Sequence, residues 1–360
     1  MKSILSLFII AVIILTGCKA DSESDVENKE PIKINPLDRL EQVDKLLSEL
    51  SKKPQQFEVS SNKETEVSGA KGTVIHVDPN RLETIDGSPL GENIQVELLE
   101  MTDNSSMLLN NTQTVSNGQI LVTGGAYYLN MTSGGKQLKM KEGKGLEVQF
   151  PKLSEDEMGL FLGERDSLGQ MNWIQANQPF NEKKLDKPVK PKKKPKKKTT
   201  DNIDAIFDYV DNYESTLTEE ELKEYRQKLE EYDLAKQTYQ AVELSSFGWI
   251  NCDRFMNDQS PKINIELIVK NDSLSGARFY AIFSDIKSIM TGHYYNGMEN
   301  PASFKNVPKG KDITIIAISV KNEKPYMFET KINTSEIDKV FIDLSATSKA
   351  AIEERMRSFN

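Results

Sequence analysis

The sequence predicts a mainly β fold with helical segments, in which two antiparallel β-sandwich-like domains are joined by a Lys/Pro spacer and a helical section. Three observations predict it. Short apolar runs separated by polar or Gly-containing turns fill residues 56–180 and 244–346. Ten lysines and three prolines interrupt these runs within Lys183–Thr200. Helical periodicity is confined to three other stretches, residues 36–51, 201–243 and 347–360.

The first 17 residues have the pattern of a secretion signal. Lys2 precedes an apolar run from Ile4 to Leu15, which is shorter than the roughly 20 residues that a membrane-spanning helix needs. The run ends in Leu15-Thr16-Gly17-Cys18, which resembles the lipobox of bacterial lipoproteins. That resemblance implies cleavage between Gly17 and Cys18 and acylation of Cys18, so that lipid chains such as palmitate anchor the protein to a membrane. The alternative is an ordinary secreted protein with an unmodified Cys18.

Residues 18–34 are polar and acidic, and their composition predicts a disordered tether. The acidic residues behind Cys18 resemble the export signal of surface lipoproteins in Bacteroidetes. This resemblance implies an address in the cell envelope, at the outer membrane. It leaves open whether the protein faces the periplasm or the cell surface.

The first structured part begins with a short helix at residues 36–51, for which Asn35 is the expected N-cap and Pro36 the first helical residue. From residue 56 to residue 180 the pattern changes to short strands. Dipeptides such as Asp86-Gly87 and Asn117-Gly118 mark the turns between them. Trp173, near the end of this section, is expected to fill a core.

Two stretches, "GTVIHVDPNRLETIDGSPLGENIQVELLEM" and "TGGAYYLNMTSGGKQLKMKEGKGLEVQFP", resemble the β-sandwich of a group of Bacteroidetes lipoproteins, which is itself similar to ZU5-type domains. The resemblance covers roughly residues 71–179. It implies a role in protein contacts. Some ZU5 relatives cleave themselves at a His followed by Phe or Tyr and Ser. Here His76 is followed by Val77-Asp78, so no self-cleavage is expected.

The lysine-rich stretch is a local exception in a chain whose formal charge is −9. Its prolines exclude a helix and favour extended polyproline II, which predicts a stiff spacer over residues 181–200. The alternative is a contact with anionic envelope material. The lysines for that contact would be Lys192, Lys193, Lys194, Lys196, Lys197 and Lys198. Because no aromatic residues alternate with these lysines to stack on bases, we expect no nucleic acid as a partner.

The section at residues 201–243 is predicted to contain two helices. Asp201 can cap the first, and Thr218 with Glu221 forms a capping box for the second, which should run from Glu219 to about Val242. Apolar residues of the second helix recur three, four or seven positions apart. We expect a helical hairpin that packs on itself or on a domain, with a partner-binding coiled coil as the alternative.

The last section, residues 244–346, is again rich in short apolar runs, and a terminal helix at Ser348–Arg357 follows it. The stretch "FKNVPKGKDITIIAIS" is similar to a hairpin of prealbumin-like and carboxypeptidase-regulatory-like sandwiches. That similarity implies a turn at Pro308–Gly310 and a core position for the isoleucines. The segment "GWINCDRF" near the start of this section suggests no role.

Catalytic signatures are missing from the sequence. Cys18, Cys252, His76 and His293 are its only cysteines and histidines, and no HExxH, CxxC, P-loop or GxSxG pattern is present. We therefore expect no metal and no cofactor. The predicted function is non-enzymatic binding or scaffolding by a lipid-anchored envelope protein, with a protein or glycan as partner. The alternative is an enzyme acting on envelope polymer, in which folding would bring Cys252, Asp253 and His293 together.

Two short sequences suggest a modification. Asp166-Ser167-Leu168 and Asp272-Ser273-Leu274 resemble the acceptor of Bacteroidetes protein O-glycosylation, and both lie in polar segments. Ser167 and Ser273 are therefore candidate glycosylation sites.

Overall fold

The structure is a computed structural model that describes residues 36–177, 180, 218–270 and 275–359. Strands hold 49% of these described residues and helices 17%, which confirms the mainly β fold. The helices are α1 Pro36–Leu50, α2 Asn104–Leu109, α3 Glu219–Gln237 and α4 Lys349–Arg357, with a 3-10 turn at Pro79–Arg81. The described residues all belong to a single unit, Asn35–Asn360.

Two sheets form the first sandwich. Sheet I has the order β1-β5-β7-β13-β10-β11, with β6 and β8 also paired to β7 and β4 paired to β8. Sheet II has the order β12-β9-β3-β2. Their strands are β1 Gln55–Ser60, β2 Thr65–Ser68, β3 Val74–Val77, β4 Leu82–Thr84, β5 Asn93–Met101, β6 Val115–Ser116, β7 Gln119–Ser133, β8 Lys136–Met140, β9 Leu146–Pro151, β10 Gly159–Arg165, β11 Met171–Gln175, β12 Thr238–Leu244 and β13 Gly248–Phe255.

Two further sheets form the second sandwich. Sheet III has the order β16-β15-β18-β19-β21, and sheet IV has the order β17-β14-β20. Their strands are β14 Lys262–Val269, β15 Gly276–Phe283, β16 Ile289–Tyr295, β17 Ala302–Pro308, β18 Asp312–Lys321, β19 Lys324–Asn333, β20 Lys339–Ile342 and β21 Ser345–Ala346. The pairing of β14 with β20 is parallel, whereas the other strand pairs of the described residues are antiparallel.

The four sheets are stacked in the order II, I, III, IV, and an apolar core lies between each neighbouring pair. The first sandwich core lies between sheets II and I and contains Ile75 and Phe150 from one and Leu129 from the other. The second sandwich core lies between sheets III and IV, where Phe279 meets Phe304 among other residues. A third, the central core, joins the remaining faces of sheets I and III and also takes in α1, α2 and α4. The two sandwiches are therefore packed against each other.

The central core explains why strands of sheet III are apolar on both faces. Along β18, Ile313 and Ile315 point into the second sandwich core, whereas Ile316 and Ile318 point into the central core. Alternation of apolar and polar residues is expected only where one face of a sheet meets water. The near-continuous apolar run of β18 is thus the sequence signature of a sheet that is covered on both sides.

Helix α1 packs closely on sheet III. Leu40, Val43 and Leu47 recur at helical spacing and point into the central core. A Cβ atom at Gly276 of β15 would lie 2.5 Å from the carbonyl oxygen of Arg39, so a larger residue there would push the helix away. The predicted helix at residues 36–51 is confirmed, and so is the terminal helix, which Ser348 caps through a bond from the backbone N–H of Ala351.

An ion pair crosses the central core. Arg278 of β15 donates from Nε and Nη2 to the two carboxylate oxygens of Asp44 on α1, both at 2.7 Å, and Nη2 also donates to the carbonyl of Leu168 in the first sandwich at 2.8 Å. The Arg278 side chain is only 3% exposed, whereas that of Asp44 is 40% exposed. This guanidinium therefore connects α1 and both sandwiches.

A second arginine fixes the chain that follows α2. Arg165 donates to the carbonyls of Asn110 and Asn111 at 2.9 Å and to that of Gly169 at 2.7 Å, and its guanidinium lies 4.5 Å from the ring of Trp249. Burial, with a smaller effect of Arg278, lowers the pKa of Arg165 to about 10. The positive charge of Arg165 therefore stabilises the C-terminal end of α2, where the helix dipole is negative.

The strand pairing corrects the expected boundary at residue 244. Strand β13, which contains the "GWINCDRF" segment, lies between β7 and β10 in sheet I, and β12 pairs with β9 in sheet II. Both strands belong to the first sandwich. Helix α3 begins with the predicted capping box of Thr218 and Glu221 but ends at Gln237 rather than near Val242. Pairing with β9 overrides the helical periodicity of Thr238–Leu244.

The same pairing removes the basis for a spacer between two separate domains. The chain leaves the first sandwich after β11 and returns to it through α3 and β12, so both flanks of the lysine-rich stretch belong to one sandwich. The stretch itself and the predicted first helix after Asp201 lie outside the described residues, as does the expected N-cap Asn35.

We predict that Asp44→Ala lowers the free energy of unfolding by about 2–3 kcal/mol, because it leaves the buried guanidinium of Arg278 without its counter-ion. Denaturant unfolding would measure the loss. Glu41→Ala on the exposed side of the same helix is the matched control and should stay within about 0.5 kcal/mol of the parent. Equal stability of the two variants would contradict the role given to this ion pair.

Candidate functional site

Most of the predicted site residues lie outside the described part of the chain. These are Gly17, Cys18, Lys192, Lys193, Lys194, Lys196, Lys197, Lys198 and Ser273. Ser167 is described: it is exposed in the turn between β10 and β11, where Asp166 accepts hydrogen bonds from the backbone N–H groups of Leu168 and Gln170 at 2.9 Å. Ser167 is therefore accessible, and its glycosylation remains a prediction.

Cys252 lies in the first sandwich core with no exposed surface. Burial, reinforced by the nearby Asp253, raises the pKa of its thiol well above the ordinary value. A thiolate is therefore strongly disfavoured there. Cys252 therefore behaves as a small apolar side chain in this core.

The structure does not bring Cys252, Asp253 and His293 together. Cys252 and Asp253 are successive residues of β13, so their side chains point to opposite faces of sheet I. His293 lies on β16 of the second sandwich, opposite Arg278. The other histidine, His76, lies on β3 between the buried Ile75 and Val77, so its ring points away from the core that holds Cys252. The constellation required by the enzyme hypothesis is not formed.

The chain beside Cys252 contains a bulge. Asn251 pairs with Ala126 and Asp253 with Thr123, which leaves Gly124 and Gly125 opposite the single residue Cys252. A Cβ atom at Gly124 would lie 2.9 Å from the Cys252 carbonyl oxygen, and Gly125 has a φ of +129°. The close approach at Gly124 and the positive φ at Gly125 both require glycine. With glycine at these two positions, β13 can pair with β7 on both sides of Cys252.

That face carries a buried polar cluster of Thr123, Asn251 and Asp253. Thr123 donates to the side-chain oxygen of Asn251 at 3.1 Å, and Asn251 Nδ2 donates to Asp253 Oδ2 at 2.7 Å. Asp253 is fully buried, and within the described residues its Oδ1 has no hydrogen-bond partner. A buried carboxyl oxygen without a partner is costly in a purely structural role.

The charge state of this cluster follows from its burial. Burial raises the pKa of Asp253 well above the ordinary value. A hydrogen bond from Thr123 and the positive charge of Lys287 lower this pKa by smaller amounts. Burial likewise lowers the pKa of Lys287. Both shifts favour the uncharged forms, and a protonated carboxyl can both donate and accept a hydrogen bond.

A cavity opens at the corner of sheet I next to Asp253, and we call it the corner hollow. Register places Gly159 opposite Asp253 and Phe161 opposite Gln175, so all four residues and Phe255 lie on one face of the sheet. The corner hollow has a volume of about 490 Å³. It is lined by Glu157, Met158, Gly159, Leu160, Phe161, Gln175, Ala176, Asn177, Asp253, Arg254, Phe255 and Asn257.

Sequence reasoning missed this site because its residues come from three strands that only the fold assembles. The one available signal was the alternation of Asn251 and Asp253 with apolar residues inside an aromatic segment, which marks two polar groups on a face that is otherwise buried. In the described ranges no group of three or more His, Cys, Asp and Glu side chains is placed to hold a metal ion. None of the helices described here is long and apolar enough to cross a membrane.

Comparison with known proteins gives no match: no family model, no curated protein and no solved structure is similar to this chain. Function must therefore be argued from the residues themselves.

We predict that Asp253→Asn changes the pH dependence of stability. Above about pH 4 the unfolded carboxyl is ionised, whereas the folded one keeps its proton, so wild-type stability falls as pH rises until the raised folded pKa is reached. Asn cannot lose a proton there, so the variant should gain up to about 1.4 kcal/mol per pH unit relative to wild type. Denaturant unfolding between about pH 5 and pH 7 would test this, and parallel curves for the two proteins would contradict it.

Proposed function

We propose that the protein is a lipid-anchored protein of the cell envelope that binds or holds a partner, either a protein or a glycan, without catalysing a reaction. The observation that carries the proposal is the order of features at the N-terminus. An apolar run of signal-peptide length ends in Leu15-Thr16-Gly17-Cys18, and a polar tether follows. We assign lipidation to Cys18 and an outer-membrane location to the protein.

The non-enzymatic part of the proposal is supported by the environment of the one described thiol. Cys252 is buried among apolar residues, with both histidines on other faces of the fold. The resemblance of residues 71–179 to ZU5-type domains, which mostly mediate protein contacts, also favours binding. Polar groups that can bind a partner are instead collected at the corner hollow.

The path of the chain favours a second contact, with anionic material, through the lysine-rich stretch. Because both flanks of the stretch belong to the first sandwich, a spacer between two bodies is not needed there. Like charges in such a block attract anionic surfaces and are screened by salt. We therefore propose that Lys192–Lys194 and Lys196–Lys198 contact anionic envelope material.

We predict that Cys18→Ala moves the protein from the membrane fraction to the soluble fraction of cells. The acyl chains would be lost with the thiol that accepts them, while the folded unit from Asn35 onwards is unchanged. Fractionation followed by immunoblotting measures the shift. Cys252→Ala is the matched control and should leave the protein in the membrane fraction. Equal membrane retention of wild type and Cys18→Ala would refute the lipid anchor.

We predict that serine at the six lysines weakens binding of the Asn35–Asn360 unit to vesicles containing phosphatidylglycerol by at least about tenfold, because each lysine near an anionic surface contributes about 1 kcal/mol. The loss should shrink as salt is raised. Arginine at the same six positions keeps the charge and serves as the control. Binding that is equally strong with serine would show that these lysines make no such contact.

A further inference from the structure

We propose that the corner hollow is a binding site for a neutral saccharide. The inference rests on the binding function proposed above and names the ligand class for one site. It is carried by three features of the described residues: the space above Gly159, the polar groups around it, and the lack of an uncompensated cation.

The space exists because position 159 has no side chain. A Cβ atom added to Gly159 would come no closer than 3.4 Å to any neighbour, with Gln175 Nε2 at that distance and the Phe161 ring at 3.6 Å. Neither a close approach nor a left-handed backbone conformation therefore requires glycine here. What glycine does provide is an opening in a face of sheet I that is otherwise filled by large side chains. The volume of about 490 Å³ is within the range of small-molecule sites.

The polar groups around this opening match hydroxyl groups. The amides of Gln175, Asn177 and Asn257 each offer donors and an acceptor, and Asp253, whose carboxyl is fully buried, also lines the opening. Sugar hydroxyls also donate and accept. Asp253 is fully buried with Oδ1 unpartnered, so a ligand or bound water that reaches it would satisfy a group that the fold leaves without a partner.

The apolar groups and the charges are also consistent with a sugar. Phe255 is partly buried and is held edge-on against Phe161 with ring centroids 5.5 Å apart, so it offers a fixed aromatic surface to the C–H face of a pyranose ring. Arg254 is the single cation of the lining, and its Nε lies 2.9 Å from Asp156, so its charge is compensated. A phosphate or carboxylate ligand would find no uncompensated cation there.

Saturation-transfer NMR on the Asn35–Asn360 unit tests the proposal. The probes are neutral trisaccharides of glucose, mannose, galactose and N-acetylglucosamine, with putrescine and inorganic phosphate as charged comparators. We expect at least one trisaccharide to bind. Gly159→Val, which fills the opening, should weaken its binding by at least about tenfold. Gln56→Ala on β1, at the opposite edge of the same sheet, should leave it unchanged.

Circular dichroism confirms that each variant is folded. If Gly159→Val is not folded, Gln175→Ala, which removes one exposed amide from the rim, takes its place with the same expected loss. The proposal is overturned if no trisaccharide binds wild type, if only a charged probe binds, or if the variant binds as tightly as wild type. Because the experiment uses a protein without Cys18, its failure would leave the lipid anchor standing.

Discussion

The structure depends on the central core, in which sheet I of the first sandwich packs against sheet III of the second. Each sheet thereby buries the face that points away from its own sandwich core. A single sandwich buries one face of each sheet and leaves the other to water. Here sheets I and III bury both, and α1, α2 and α4 fill the space between them. Buried polar groups in this layer are stabilised when they find partners within it. Arg278 does so by binding Asp44 and the Leu168 carbonyl at once.

The sequence predicts the elements of this fold better than their arrangement. Strand-forming runs, the helix at residues 36–51, the capping box at Thr218 and the terminal helix all depend on neighbours in the chain, and the structure contains them. The membership of β12 and β13 depends on pairing with strands far away in the chain, for example of Tyr239 with Phe150 and of Asp253 with Thr123. No local pattern records that choice, so the sequence predicts helix for most of β12 and places β13 in the wrong sandwich.

The site was harder to predict than the fold for the same reason. The corner hollow combines residues near positions 159, 175 and 253, and its defining feature is an absent side chain at Gly159. From sequence alone, a glycine within a strand indicates a destabilised strand position or a bulge, not a binding site. Cys252, which drew attention as the one thiol of the folded part, lies one residue away on the opposite face of the sheet. Burial raises the pKa of its thiol, as it raises the pKa of the neighbouring Asp253 carboxyl.

The position of β13 between β7 and β10 also governs the order in which the chain can be completed during synthesis. When residues up to Gln175 have been made, sheet I still lacks an interior strand, and β7 and β10 each present an unpaired edge. Exposed strand edges invite pairing with other chains, and closing long loops slows folding. Until Phe255 has emerged, the nascent first sandwich therefore keeps two strand edges with which other chains could pair.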